Sequence, residues 1–230
     1  MGYLGAFGLM CTLFLLAACV QDVVCPDGSV VKNAAACAPE EMIAPPQELS
    51  PAIQDLQTKA AKIKSYKFLY APLPENKGAW TYEVKGSFAR IDVPFPAVGV
   101  LLDTVFLDFK YKRAVAYCFD KKSCDNTTQI VTKPSYDTYA IALPHELIRD
   151  LSAAVETGAI QYEDRTTKIL EWQVGAEYHR MLVDSFYGFP LKHEIFANAD
   201  HTGVAQGASY RDLAYNVVAD ERVVPPAGWS

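Results

Sequence analysis

The sequence predicts an α+β fold, an antiparallel β-sheet with one helix before it and at least one helix over it. Three observations carry this. Residues 168–197, KILEWQVGAEYHRMLVDSFYGFPLKHEIFA, hold two β-rich runs around a break at residues 184–190 that contains Gly188 and Pro190, the pattern of an antiparallel hairpin. Further runs between Trp80 and Phe119 alternate apolar and polar residues, as strands with one wet face do. Residues 50–63 instead space their apolar side chains as a helix does. On the return strand of the hairpin Leu191, Ile195 and Ala197 fall on one side and Lys192 and Glu194 on the other. A hairpin with one apolar face needs more sheet and a cover.

The chain has 230 residues, 50% of them hydrophobic, and a formal net charge of -6. That length supports one sizeable domain with its own core. An acidic chain without a basic stripe excludes nucleic acid as the expected partner.

Residues 1–18 are expected to be a lipoprotein signal peptide. The apolar run MGYLGAFGLMCTLFLLAAC is short for a membrane span. It ends in Leu16-Ala17-Ala18-Cys19, small residues before a cysteine, which is the lipobox pattern of bacterial-type lipoproteins. Cys19 is then lipidated, and the rest of the chain is exported and held at the outer face of a membrane. An uncleaved hydrophobic anchor or a core helix is the competing reading, and no Lys or Arg precedes the run. Outside the leader and anchor four cysteines remain, Cys25, Cys37, Cys118 and Cys124. An even number in an oxidising compartment suggests two disulfides. Proximity favours Cys25 with Cys37 and Cys118 with Cys124, out of three connectivities.

Residues 19–49 are expected to form a tether. Cys25-Pro26-Asp27-Gly28-Ser29 is turn chemistry before a short strand at Val30-Val31. Closed by Cys37 this makes a small knob, and the Pro- and Glu-rich stretch after it is an extended linker. Residues 50–230 are expected to be the folded domain. Ser50 as N-cap and Pro51 at N1 start a helix whose face is Ile53, Leu56, Ala60 and Ile63, with lysines toward its end. A strand follows with Tyr66, Phe68 and Tyr70 in phase. In residues 80–93 Tyr82, Val84 and Phe88 share a phase that slips at Ile91, which points to a bulge near Gly86 or Ala89. Residues 100–119 read as one long strand with Val105, Leu107, Phe109 and Tyr111 on one face and Phe106 out of pattern. Residues 136–143 read as a strand. Residues 144–156 read as a helix with apolar face Leu147, Ile148, Leu151, Ala154 and Val155, stopped by Gly158. Residues 203–208 read as a loop and residues 209–218 as the last strand.

The wording RMLVDSFYGFPLKHEIF, residues 180–196, resembles the LolA/LolB-like superfamily of bacterial envelope lipoprotein carriers. There a strand ends in an acidic residue, a turn reaches Gly-Leu-Pro, and the next strand leaves with Lys; here Phe189 takes the place of Leu. The opening helix running into KIKSYKFLY and the close Pro225-Pro226-Ala227-Gly228-Trp229 agree with it. The resemblance implies a strongly curved sheet, an incomplete β-barrel, with a helix over its concave side and a cavity for acyl chains. It also implies a ligand, a lipid or the acyl chains of a lipoprotein. Tyr66, Phe68, Tyr82, Val84, Phe88, Val105, Leu107, Phe109 and Tyr178 are the candidate lining residues. If the helix lies flat, the same residues make a filled core.

Enzyme signatures fail. His145-Glu146 and His193-Glu194 lack the second His of H-E-x-x-H, where Arg149 and Ala197 stand. Gly207-Ala208-Ser209-Tyr210-Arg211 lacks the last Gly of a nucleophile elbow. No phosphate-binding glycine pattern occurs, and no cofactor or metal is expected. His179 and His193 lie at similar distances from the hairpin turn and could meet, but no third ligand is placed for them. The expected function is a non-catalytic, membrane-anchored lipid or lipoprotein carrier or acceptor. The alternative is a surface-anchored interaction or envelope-signalling module on the same fold.

Overall fold

The structure is a computed structural model that describes residues 23–24, 30–31, 49–74, 79–93, 102–119, 132–198 and 200–229. The chain divides into two units, Met1–Pro45 and Pro46–Ser230. In the first, β1 (Val23–Val24) pairs antiparallel with β2 (Val30–Val31). The expected leader, Cys19, Cys25, Cys37 and most of the expected Pro/Glu linker lie outside the described residues.

The second unit begins with α1 (Pro51–Ala60), where the Ser50 hydroxyl accepts from the Ile53 amide at 3.4 Å. This satisfies one of the donors that a helix start leaves free. Ile53, Leu56 and Ala60 are buried, as the spacing predicts. Then come β3 (Ser65–Leu73), β4 (Trp80–Lys85), β5 (Phe88–Asp92), β6 (Thr104–Asp108) and β7 (Arg113–Tyr117). A 3-10 turn (Tyr136–Thr138) and α2 (Pro144–Arg149) follow, and the chain re-enters the sheet as β8 (Val155–Tyr162). The meander continues through β9 (Arg165–Val174), β10 (Glu177–Asp184), β11 (Pro190–Phe196) and β12 (Val204–Tyr215), and α3 (Asp220–Val223) closes it.

One ten-stranded antiparallel sheet results, in the order β7-β6-β5-β4-β3-β12-β11-β10-β9-β8. It is two meanders welded where β12 pairs with β3. The sheet is curved and unclosed, as the resemblance implies, with β7 and β8 as its two edges. The chain must travel from the first edge to the second between residues 117 and 155. Its described part, residues 132–154, crosses the inner face, and Thr132 bridges Ala116 on β7 as it starts.

Several expected elements are corrected. Residues 80–93, 100–119 and 169–183 are each two strands with a tight turn between them, at Gly86, Lys112 and Gly175, which have φ of 59°, 49° and 59°. The predicted bulge near Gly86 is thus a hairpin turn. The helix over residues 144–156 ends at Arg149, because residues 155–162 pair with β9 instead. Residues 136–143 form a 3-10 turn and an irregular stretch, and residues 204–208 belong to β12.

Directly opposed residues share a face. From β3 the inner face runs Tyr66–Val84–Ala89–Leu107–Ala114 and Phe68–Tyr82–Ile91–Val105–Ala116 in register. These side chains join Ile53, Leu56, Leu143, Ile148, Leu170, Met181, Phe189 and Tyr210 in one core. On the outer face Phe106, Val115 and Tyr117 form a smaller cluster under Trp229. Arg222 of α3 donates to both carboxylate oxygens of Glu83 there, each at 2.8 Å.

Candidate functional site

The inner face is the candidate site. Its floor is aromatic. Phe68 stacks on Tyr82 with centroids 5.3 Å apart, Tyr210 meets Phe68 edge-on at 5.5 Å, and Phe189 meets Tyr66 at 4.8 Å. Such contacts add about 0.5–1.5 kcal/mol each beyond area burial. The space is filled: Phe68, Tyr82, Ile91, Leu107 and Tyr210 are all at most 1% exposed.

Each of three floor tyrosines carries a hydroxyl to the crossing segment. Tyr82 donates to the Tyr139 carbonyl at 2.9 Å and Tyr210 to the Ala142 carbonyl at 3.0 Å. Tyr66 lies 2.6 Å from His145 Nδ1. Burial holds His145 near pKa 4, with Arg149 adding to the effect. The imidazole is therefore neutral and its Nδ1 accepts from the phenol. Burial likewise raises the Tyr82 and Tyr210 phenols, so they stay donors. Gln57 of α1 adds a clamp, its amide nitrogen donating to the carbonyls of Ile148 and Leu151 at 3.0 Å each. Residues 136–151 are thus a cover latched at defined points. Beside it a groove of about 480 Å³ runs between α1 and α2, lined by Gln54, Gln57, Ile63, His145 and Ile148.

The structure places Tyr66, Phe68, Tyr82, Val84, Val105 and Leu107 together on this face. Phe109 sits in the β6–β7 turn, partly buried against Tyr136. Two candidates are corrected. Phe88 stacks on Trp229 of the outer face at 5.6 Å, and Tyr178, opposite Phe196 and Gln173, also points to the outer face. Each lies beyond a turn, where the phase of alternation changes side. Tyr139, Ala142, Phe189 and Tyr210 were missed. Tyr210 was legible, since Ala208, Tyr210 and Leu213 give the last strand an apolar trace. The carbonyls of Tyr139 and Ala142 leave no signal in a sequence. Cys118 is buried at the end of β7, and Cys124 lies outside the described residues.

His179 and His193 do meet, with Nδ1 and Nε2 3.1 Å apart. Among the described residues no three His, Cys, Asp or Glu side chains gather around a common point.

The described residues define a class: an unclosed antiparallel half-barrel with an opening helix and a latched cover, the fold that the LolA/LolB-like resemblance implies. No family model matches the chain, and no curated protein does. Solved structures with some likeness include the crystal structure of MucB, at TM-score 0.47 and 14% identity over 78% of this chain and 64% of that one. The Pseudomonas aeruginosa MucA/MucB complex gives 0.44 and 14%, over 77% and 62%. A DUF1329 family protein from Desulfovibrio piger gives 0.34 and 13%, over 74% and 94%. The chain thus spans less than two thirds of the MucB chain.

Proposed function

We propose that this protein is an exported, membrane-anchored, non-catalytic binding protein that takes the acyl part of a lipid or lipoprotein against its inner face when the cover opens. The observation that carries the reading is the cover itself. A largely aromatic and aliphatic floor lies beneath a segment fixed by three tyrosine hydroxyls and one glutamine. Binding would come from apolar burial, with no covalent step. The failed enzyme signatures support the absence of catalysis. Leu16-Ala17-Ala18-Cys19 supports export and anchoring through Cys19. Four cysteines beyond the leader support two disulfides, and Cys118 and Cys124 are the pair closest in the chain.

A second reading, an interaction module that carries no lipid, is favoured by one observation. The interior is filled, while Phe186 and Tyr187 are 75% and 38% exposed beside Lys59 and Lys62. One experiment separates the two. Fluorescent fatty-acid binding and thermal melting are measured on the wild type, on Tyr82→Phe/Tyr210→Phe and on Leu107→Glu. Losing two latching bonds at about 1 kcal/mol each eases opening, so the double variant should bind roughly ten- to thirtyfold tighter. Leu107→Glu places an unpaired carboxylate on the floor and should abolish binding. No probe binding by the wild type, with Leu107→Glu unfolded, rejects the carrier and leaves the interaction module.

A further inference from the structure

The inner face has one place where its apolar character stops, at the centre of β9, β10 and β11. His179 projects there from β10, and Trp172 of β9 stands directly across from it. Met181, two residues on and fully buried, stands directly across from His193 of β11. The four residues therefore occupy adjacent positions on one face, with cross-strand Cβ atoms about 4.5–5.5 Å apart. The indole stacks near-parallel on both imidazoles, with centroids 5.0 Å from His179 and 5.5 Å from His193. His179 Nδ1 and His193 Nε2 face each other at 3.1 Å. His179 is 9% exposed, and its other nitrogen, Nε2, is buried without a hydrogen-bond partner; Glu177 Oε2 is 3.8 Å from it.

From this arrangement we propose a binding site for a soft monovalent metal ion, Cu(I) or Ag(I), with His179 and His193 as nitrogen donors, Met181 as thioether donor and Trp172 as a ring wall. The spacing fits. Metal–nitrogen bonds of about 2.0–2.1 Å to two atoms 3.1 Å apart close at an angle of roughly 100°. Each neutral imidazole can present a lone pair on its facing nitrogen by carrying its ring proton on the other one, and ion binding would select that tautomer. The donor set chooses the metal. A thioether and imidazoles suit a soft ion. Zinc would need a third His, Cys or carboxylate, and none joins the pair among the described residues. A cation held against the face of an indole gains from the ring quadrupole. The site is reachable, since Trp172 also lines an open groove with Leu147, Leu151 and Val174.

The test uses the full chain in chloride-free buffer with free thiols alkylated. Ag(I) stands in for Cu(I), so no reductant is needed and disulfides stay intact. Titration should show one Ag(I) per chain, a rise in melting temperature, and tryptophan quenching that disappears in Trp172→Phe. Met181→Leu, close in volume, and His193→Gln should each weaken Ag(I) at least tenfold, and Zn(II) should bind the wild type at least tenfold more weakly than Ag(I). The proposal is overturned if the wild type takes up no stoichiometric Ag(I) and its melting temperature does not rise. It is equally overturned if folded Met181→Leu and His193→Gln bind as the wild type does. Should either variant fail to fold, the wild-type stabilisation and the loss of quenching in Trp172→Phe decide.

Discussion

Replacing Gly188 with alanine tests how the hairpin turn and α1 are joined. Gly188 ends the turn after β10; its amide donates to the Asp184 carbonyl at 2.8 Å, and its φ is +68°. An L-residue there carries left-handed strain of about 1–2 kcal/mol. A Cβ at this position would sit 2.0 Å from the Leu56 carbonyl oxygen and 2.8 Å from the carbonyl carbon. These are backbone atoms of a helix whose Ile53 and Leu56 are 0% and 3% exposed, so the helix cannot withdraw without uncovering core. Overpacking of that kind costs about 1–3 kcal/mol, which makes the total about 2–5 kcal/mol. Gly175 supplies the control, since its φ is +59° but nothing lies within 4 Å of its added Cβ. Gly175→Ala should cost only the strain, about 1–2 kcal/mol. At about 2–4 °C per kcal/mol for a domain of this size, Gly188→Ala should lower the melting temperature by about 4–20 °C and Gly175→Ala by about 2–8 °C. Thermal and urea melts of both variants measure this. Equal losses would refute the claim that the turn is pressed against α1.

Three further outcomes follow from the structure and the sequence. Stability should fall as pH drops from about 6.5 to about 4, because the unfolded chain protonates His145 and His193 at ordinary values while burial holds the folded groups near 4; the contribution is complete above 6.5, the loss levels off below 4, and His145→Gln should flatten the slope in calorimetry across that range. Cys19→Ser should abolish lipid labelling and release the chain from the membrane, and a wild type that takes up no labelled lipid would reject the leader reading. Non-reducing peptide mapping should join Cys118 to Cys124, with stabilisation at or below about 2–4 kcal/mol for so short a loop, and a Cys118–Cys25 peptide would overturn the pairing.

Ser50, Pro51 and the Ile53–Leu56–Ala60 spacing announced α1 because capping and amphipathicity are local. The hairpin turn at Asp184–Gly188 was legible for the same reason. The strand count was not. Gly86-Ser87 and Gly175-Ala176 are two-residue turns, and period-two alternation runs almost unbroken through them. What does change is phase, and a one-residue slip moves every following side chain to the other face. That is how Phe88 and Tyr178 were assigned to the wrong side, and why Ile91, which breaks phase in the sequence, is a core residue. Residues 150–156 keep a helical spacing, yet the chain is irregular over residues 150–154, and pairing with β9 decides the state of Val155 and Glu156, an interaction at a distance that no window of sequence contains.

The cover is a consequence of topology. Two meanders joined where β3 pairs with β12 leave their free edges at opposite ends of the sheet, so the chain between them has to cross. Once across, it solves a problem set by the floor. Without partners, three buried tyrosine hydroxyls would each cost about 1–3 kcal/mol. Opening in water exchanges these bonds for bonds to solvent, which leaves a net cost of about 1 kcal/mol each. The larger cost is apolar. Leu143, Ile148 and Leu151, on the cover itself, are 1%, 0% and 7% exposed, and at about 1.5–3 kcal/mol each their exposure costs about 4.5–9 kcal/mol. A small polar ligand cannot offset that. An acyl chain can, because each buried CH₂ contributes about 0.8 kcal/mol, so about six to eleven methylenes match the cover. On the carrier reading, the filled interior therefore sets a threshold on chain length, below which the face stays closed.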